Sequence, residues 1–431
     1  MSKQDKLVTL LKQKGTGKTM SKSLDVDQLD SLSDLIHSNE VETATIATIL
    51  TAFLMLPNTT QEDYWFNTIK KNFETVVHPD CHFLFTNVSS NIKHYDFLTL
   101  IKKVIAEKDL NRDEMTFCLE QVFSTDVPMQ YKSSFLEAER LKEETTEENL
   151  ASLDYCYTKC LHETIDLPIL IDIANPYDGF NRFHNTTLLL APFLAALGYP
   201  VLLHGTEEVA PKRGINPFKL LKQAGKNPLK PIADIKTSLL NKNIGWAYLD
   251  QTTFFQELHS LNSLRAALVK RPVLTTIEKF MLPIQAEKTY MVTGYTHPPY
   301  RKKSIDLLNH LQRLDGFVLV RGMEGSAQPP LDKRCPAVIC QNGNESETFL
   351  RPNDFGFSEI DRVQPDKSIE VQDTLDYLYS AFDKNSETFQ HLAFQATAIC
   401  SLLHLAETET ILARINADTF ISTFKQQWDL Y

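Results

Sequence analysis

Leu167-Pro168-Ile169-Leu170-Ile171-Asp172-Ile173-Ala174 is a short, β-branched apolar run, and Asn175-Pro176-Tyr177-Asp178-Gly179 breaks it directly afterwards. The run has the length and composition of a buried strand, and its Pro and Gly neighbours make a turn. Working outward, Asn185-Thr186-Thr187 opens an apolar run from Leu188 to Leu197 as a helix cap does, and Gly198-Tyr199-Pro200 closes it. Val201 to Gly205 reads as a second strand and Pro217 to Gly225 as another short helix. Strand, loop, helix, strand, loop, helix is a βαβα unit, with its loops at the carboxyl ends of the strands, where open α/β sheets bind ligands.

The alternation continues downstream. Gly245 to Leu249 is a strand, Phe254 to Val269 is helical in spacing, and Thr289 to Gly294 is a strand broken by His297-Pro298-Pro299-Tyr300. Ser304 to Leu314 is a helix, and Phe317 to Val320 a strand that enters Arg321-Gly322-Met323-Glu324-Gly325. From about Ser368 to Trp428 the spacing is helical, with Leu392, Ala393, Ala396 and Ile399 on one face. Upstream, Leu7 to Lys12, the set Leu29, Leu32, Leu35 and Ile36, and Val41 to Leu56 are helical in period. The expected fold class is α/β with an all-helical N-terminal part. Gly15-Thr16-Gly17-Lys18-Thr19 looks like a phosphate-binding loop, but Lys12 stands where that pattern needs Gly and a helix precedes it instead of a strand.

The helical part repeats itself. Leu24-Asp25-Val26-Asp27-Gln28 is echoed by Leu110-Asn111-Arg112-Asp113-Glu114, and Thr59-Thr60-Gln61-Glu62 by Thr145-Thr146-Glu147-Glu148, both at an offset of 86. Ser38, Val41 and Ala52 match Ser124, Val127 and Ala138 on that same offset. A duplicated helical module follows, with one copy at 1–75, a linker at 76–94 and a second copy at 95–165, ahead of an α/β domain at 166–431.

Composition bounds the function. With 431 residues the chain can bury more than one core. No run approaches the roughly 20 apolar residues of a membrane helix, so the expected setting is cytoplasmic, with no membrane partner. Seven cysteines, an odd number spread far apart, point to reduced thiols. Cys156, Cys160 and His162 invite a metal reading, but no second ligand cluster accompanies them; His78, Cys81 and His82 invite another, but their crowding reads as a linker, and no metal site is expected. A net charge of −11 argues against a protein coated in nucleic-acid-binding surface. Locally the balance reverses: from Lys212 to Lys242 eight basic residues face the single acid Asp234, a solvated face or an anion-binding one.

These residues in this order resemble the anthranilate phosphoribosyltransferase-like family, also called glycosyltransferase family 3, which shares its fold with pyrimidine-nucleoside phosphorylases. The carriers are the helical head and the strand leading to Asp178-Gly179, then Phe183 and Thr186-Thr187 opening a helix. His204-Gly205, Val320-Arg321-Gly322-Met323-Glu324-Gly325 and Phe349-Leu350-Arg351-Pro352-Asn353-Asp354-Phe355-Gly356 complete the series. The resemblance covers residues 95 to 425, with the first module an additional copy of the family's N-terminal domain, and it implies a homodimer through the helical modules.

Several motif letters depart from the family. Its glycine-rich Gly-Thr-Gly-Gly-Asp turn, which lets backbone amides approach the pyrophosphate of phosphoribosyl pyrophosphate, appears as Ala174-Asn175-Pro176-Tyr177-Asp178. Its Asn-x-Ser-Thr appears as His184-Asn185-Thr186-Thr187, and its Lys-His-Gly-Asn-Arg as Leu203-His204-Gly205-Thr206-Glu207. The following Ser-Ser-Lys-Ser-Gly becomes Ala210-Pro211-Lys212-Arg213-Gly214. Its magnesium-binding Asp-Gly-Leu-Asp-Glu corresponds to Glu324-Gly325-Ser326-Ala327-Gln328, which loses both metal carboxylates.

The resemblance therefore implies a sugar-diphosphate site with eroded chemistry, and three functions stay open. One is a non-biosynthetic homologue binding an anionic ligand or single-stranded nucleic acid, with Lys212, Arg213, Lys219, Lys222 and Lys226 in a basic groove. Another is an active transferase with an altered acceptor, the one case in which magnesium is implied. The third is a dimeric scaffold. In the transferase case His204 is the catalytic candidate, and Asp178, Gly179, Thr186, Thr187, Gly205, Lys212, Arg213 and Arg321 hold the phosphorylated sugar. Arg321 is placed to pair with Glu324 or to meet a phosphate. His204 capping its strand and Asp178 serving as an ordinary turn acid are the competing structural readings.

Overall fold

Ile169–Ala174 forms β1, the middle one of the five parallel strands in the protein's seven-stranded main sheet. The computed structural model describes residues 2–311, 313–341, 343–361 and 369–431. Six more strands follow: β2 (Val201–Gly205), β3 (Trp246–Asp250), β4 (Lys288–Gly294), β5 (Gly316–Val320), β6 (Cys335–Gln341) and β7 (Asn344–Leu350). Their order across the sheet is β3-β2-β1-β4-β5-β6-β7. The first five strands run parallel, and β6 and β7 close one side as an antiparallel hairpin. The chain builds outward from β1 to β2 and β3, then crosses to the other side of β1 to lay down β4. The order therefore reverses between β1 and β4, whose carboxyl ends meet at Ala174 and Thr293, and a ligand crevice belongs at that switch point.

The chain divides into two compact units, one of Met1–Thr158 with Ser260–Ile277 and one of Lys159–His259 with Glu278–Tyr431. In the helical unit the first four helices are α1 (Lys3–Lys14), α2 (Val26–Ile36), α3 (Thr43–Met55) and α4 (Thr60–Lys71). Four more are α5 (Tyr95–Ile105), α6 (Arg112–Phe123), α7 (Met129–Lys142) and α8 (Thr146–Lys159). Val26 and Arg112, Thr43 and Met129, and Thr60 and Thr146 open their helices 86 residues apart. Asp25 with Gln28 and Asn111 with Glu114 form matching capping boxes, and so do Thr59 with Glu62 at α4. Glu62 Oε1 accepts from the Leu24 amide at 3.1 Å and Glu148 Oε1 from the Leu110 amide at 2.7 Å, which ties each fourth helix to the start of its second. Between the copies, residues 79–84 form a 3-10 turn in which His78, Cys81 and His82 bond to Asn39, the Thr43 carbonyl and the Val77 carbonyl.

The α/β unit surrounds its sheet with α9 (Thr187–Ala196), α10 (Pro217–Gln223) and α11 (Ile232–Leu240) on the early strands. The helix α12 (Asn262–Leu268) belongs to the helical unit, so the helical spacing of Phe254 to Val269 is divided among short helices instead of one. The strand β4 ends at Gly294, ahead of the break, and the helix expected from Ser304 already starts at Pro298 as α13 (Pro298–His310), since a missing N–H costs nothing in a first turn. The C-terminal helices are α14 (Val371–Tyr379), α15 (Glu387–Leu402), α16 (Thr408–Asn416) and α17 (Phe420–Leu430); the expected start near Ser368 lies outside the described residues. The apolar α9 is buried from Thr187 to Ala195 and packs Phe193 against Phe389, Phe420 and Phe424 with ring centres 4.8–5.5 Å apart. Among the described residues no helix is long and apolar enough to cross a membrane.

Candidate functional site

The crevice at the switch point is built by the turn after β1, the start of α9, the end of β2 and the loop after β5. The turn's backbone is dictated by contact: Gly179 has φ +74°, and a Cβ there would lie 2.7 Å from the Gly214 carbon and the Ile215 oxygen. Gly294 at the end of β4 is equally constrained, because a Cβ would fall 1.8 Å from the Ser326 carbonyl oxygen. These close approaches bring the loop after β2 onto the turn after β1, and the loop after β5 onto the end of β4.

The start of α9 offers the first-turn amides and hydroxyls that a phosphate would use. The amides and hydroxyls of Thr186 and Thr187 are all engaged by neutral amide side chains. Thr186 N donates to Gln328 Oε1 at 2.9 Å and Thr187 N to Asn185 Oδ1 at 3.0 Å. Gln395 Nε2 donates to Thr186 Oγ1 at 3.0 Å and Asn175 Nδ2 to Thr187 Oγ1 at 2.6 Å. Asn175 Oδ1 accepts from the Ala327 amide at 2.9 Å, and Gln328 Nε2 donates to the His184 carbonyl at 3.0 Å.

Beside this plug lies a charged one. The amides of Asn181, Arg182 and Phe183 point at the Glu324 carboxylate, with Oε1 accepting from Arg182 at 2.8 Å, Asn181 at 3.1 Å and Phe183 at 3.3 Å. Oε2 accepts from Lys212 Nζ at 2.9 Å, and the same ammonium donates to the Gly179 carbonyl at 3.1 Å. Glu324 itself sits at φ 52° and ψ 21°, a left-handed conformation uncommon for a side chain of this size. Burial would raise its carboxyl, but the Lys212 ammonium and the backbone N–H donors outweigh that and hold it below the ordinary glutamate value.

His204 stands on β2 with its side chain fully buried. Its Nε2 lies 2.8 Å from Asp172 Oδ1 and its Nδ1 2.5 Å from Tyr177 Oη, so both ring nitrogens are used within the fold. A carboxylate only accepts, which places a ring proton on Nε2, and the Tyr177 hydroxyl that meets Nδ1 also bonds to the Glu278 carbonyl at 3.2 Å. Desolvation first, then the negative charges of Glu278 and Asp172, push the Tyr177 hydroxyl well above its ordinary pKa. The space beside these groups is about 10 Å³, bounded by Asn175, Tyr177, Thr187, His204, Asn216 and Tyr248, which is room for one water.

The other candidates are dispersed. Asp178 is buried and its carbonyl receives the Gly214 amide at 2.8 Å. Gly205 ends β2 against the Tyr248 ring, with a would-be Cβ 3.2 Å from its hydroxyl. Arg321 does not pair with Glu324, whose oxygens are taken by Lys212 and the three amides; it is exposed and its Nε donates to the Thr296 carbonyl at 3.4 Å. The basic run is met by acids and by the C-terminal helix. Arg213 and Lys219 lie 3.6 and 3.5 Å from Glu208, and Lys222 lies 3.0 Å from Glu207. Lys226 donates to the Trp428 carbonyl at 2.7 Å and covers that ring at 4.6 Å; burial lowers its pKa.

Sequence reasoning missed Asp172, Asn175, Asn216 and Gln395 as members of the site. Only Asn216 carried a signal, as an Asn before Pro217 at a helix start; buried, it caps α10 and donates to the Thr206 carbonyl at 2.9 Å. Among the described residues no group of three or more His, Cys, Asp or Glu is placed to hold a metal ion. The described cysteines are buried.

No family model matches the chain. It is 26% identical over 257 residues to an uncharacterized protein of Aquifex aeolicus, covering 58% of this chain and 73% of that one. It is 26% identical over 261 residues to the anthranilate phosphoribosyltransferase of Petrotoga mobilis, covering 60% and 73%. The fold matches the Saccharomyces cerevisiae anthranilate phosphoribosyltransferase solved with PRPP and Mg at a TM-score of 0.64 and 14% identity, over 78% of this chain and 98% of that one. The Thermus thermophilus enzyme matches at 0.59 and 16% identity, over 76% and 97%.

Proposed function

We propose that this chain, a homologue of the anthranilate phosphoribosyltransferases that shares their fold, is a non-catalytic member whose sugar-diphosphate crevice is filled by its own side chains. The observation that carries the reading is at the start of α9, where the Thr186 and Thr187 amides donate to Gln328 and Asn185 and the two threonine hydroxyls accept from Gln395 and Asn175. A phosphate entering there would have to displace neutral partners that are already desolvated and bonded. The residues also do not fit magnesium. Ala327 has no donor, and Gln328 spends its amide oxygen on Thr186 and its nitrogen on His184, while a hard divalent cation wants carboxylate oxygens.

His204 is in this account a positioning residue that locks β2 to β1 through Asp172 and to the following turn through Tyr177. The anion that the fold still recognises is held one step aside. The amides of 181–183 and Lys212 form a cradle of the kind that binds phosphate, and Glu324 occupies it. An anionic ligand is accepted only where it replaces that carboxylate. The nucleic-acid reading draws less support, because Glu207 and Glu208 sit against Arg213, Lys219 and Lys222.

The test is a transfer assay with phosphoribosyl pyrophosphate, magnesium and anthranilate, beside binding of a short single-stranded DNA at low and high salt. The expectation is no product and weak DNA binding. Product formation that is lost in Lys212→Ala would overturn the reading in favour of an active transferase; tight, steeply salt-dependent DNA binding would overturn it in favour of a nucleic-acid protein.

A further inference from the structure

The helical unit contains two copies of one module, and the two copies meet through the same helix. The helices α3 and α7 are repeat equivalents and, among the described residues, pack on each other more extensively than any other helix pair. Two hydrogen bonds mark the crossing: Ser133 Oγ donates to the Ala44 carbonyl at 2.8 Å, and Thr51 Oγ1 to Ser134 Oγ at 3.0 Å. Ser133 and Ser134 stand 86 residues on from Ala47 and Thr48, which lie midway between Ala44 and Thr51. Each helix therefore crosses the other at the same place in the repeat. An isologous contact, in which one surface patch meets a second copy of itself, has its crossing placed in this way.

The crossing is completely covered. In α3 every residue from Ala44 to Phe53 is buried, and in α7 every residue from Lys132 to Glu139. Further cover comes from α1 and α5 and from α12, which packs on both central helices. Small side chains at the crossing, Ala44, Ala47, Thr48, Ser133 and Ser134, let the two backbones approach, and the hydroxyls spend their hydrogen bonds inside the pair.

We infer that the helical unit is a covalently joined homodimer: the first module occupies on α7 the face that would otherwise take a second copy of the chain, and the protein is a monomer. Joining the two partners in one polypeptide removes the concentration dependence of their association, because the second contact is made at the high effective concentration of a short tether. This replaces the expectation of a homodimer through the helical modules.

The test uses the full chain. Thr51→Cys with Ser134→Cys puts two thiols where hydroxyl oxygens now sit 3.0 Å apart, a separation from which a disulfide forms with little rearrangement. Mild oxidation with diamide is expected to give a cross-link within one chain, absent from either single variant, and the wild-type protein is expected to sediment at 49.2 kDa across a wide concentration series. A disulfide between two chains, or a wild-type mass of two chains, would overturn the inference.

Discussion

Glu62 in the helical unit and Glu324 in the α/β unit solve the same electrostatic problem with different consequences. Each is a buried carboxylate that accepts backbone amides and one lysine: Leu24, Thr59 and Lys14 for Glu62, and residues 181–183 with Lys212 for Glu324. Both carboxyls are held below the ordinary glutamate value against the opposing pull of burial. Yet Lys14 is only 2% exposed, lies over the Phe53 ring and also donates to the Pro57 carbonyl, whereas Lys212 is 22% exposed and Glu324 carries a left-handed backbone. The first arrangement is sealed and structural. The second sits at a ligand crevice, open on its cation side and strained at its anion, so it is the one that can be released.

The largest effect that sharpens this contrast is at the sealed site. Lys14→Met leaves Glu62 as an uncompensated buried charge and is expected to cost about 3–5 kcal/mol in urea unfolding. The matching change in the second copy, Lys142→Met, is expected to fall in the same range, since Lys142 lies 2.7 Å from Glu148 and is 3% exposed. Lys212→Met at the open site is expected to cost on the order of 1 kcal/mol, because water reaches the cradle and screens the pair. Equal losses at the two sites would break the comparison.

Acid titration separates the sites more finely. A carboxyl whose pKa is lowered by folding contributes stability that is complete above its unfolded value and is lost as pH falls through the folded value. Wild-type stability is therefore expected to decline below the ordinary glutamate value of 4.5, and Glu324→Gln to make that decline shallower. Urea midpoints over a pH series measure it, and an unchanged slope would show that Glu324 is not charged in the fold. Removing the plug should also create a site: Glu324→Ala is expected to bind inorganic pyrophosphate in calorimetry where the wild type gives no heat. The smallest effect is on the basic surface. Lys222→Ala, which loses only its exposed contact to Glu207, is expected to stay within about 0.5 kcal/mol of wild type.

How much of this was legible depended on how local each feature is. The apolar runs of β1 and α9 lie within a few residues of what they determine, and the repeated stretches at Asp25 and Asn111 echo each other at a fixed offset along the chain, so pattern alone carries them. The resemblance those residues carry agrees with the homologues and with the solved folds. The hairpin β6–β7 escaped notice because its second strand is exposed almost throughout and shows no apolar alternation. The crevice plugs were hidden for a different reason. Lys212 and Glu324 are 112 residues apart, and Gln395 and Thr186 are 209 apart; nothing in either local stretch records the partner. Arg321 was the local candidate for Glu324, and it lost to a lysine that the turn at Gly179 brings across.

The central claim is that the crevice is filled from within, and its most direct measurement is calorimetry of phosphoribosyl pyrophosphate with magnesium titrated into the wild-type protein. The account predicts no heat beyond dilution, because the donors of α9 and the cradle at 181–183 already hold Gln328, Asn185 and Glu324. Saturable binding that disappears in Lys212→Ala would contradict it and return the protein to the transferases.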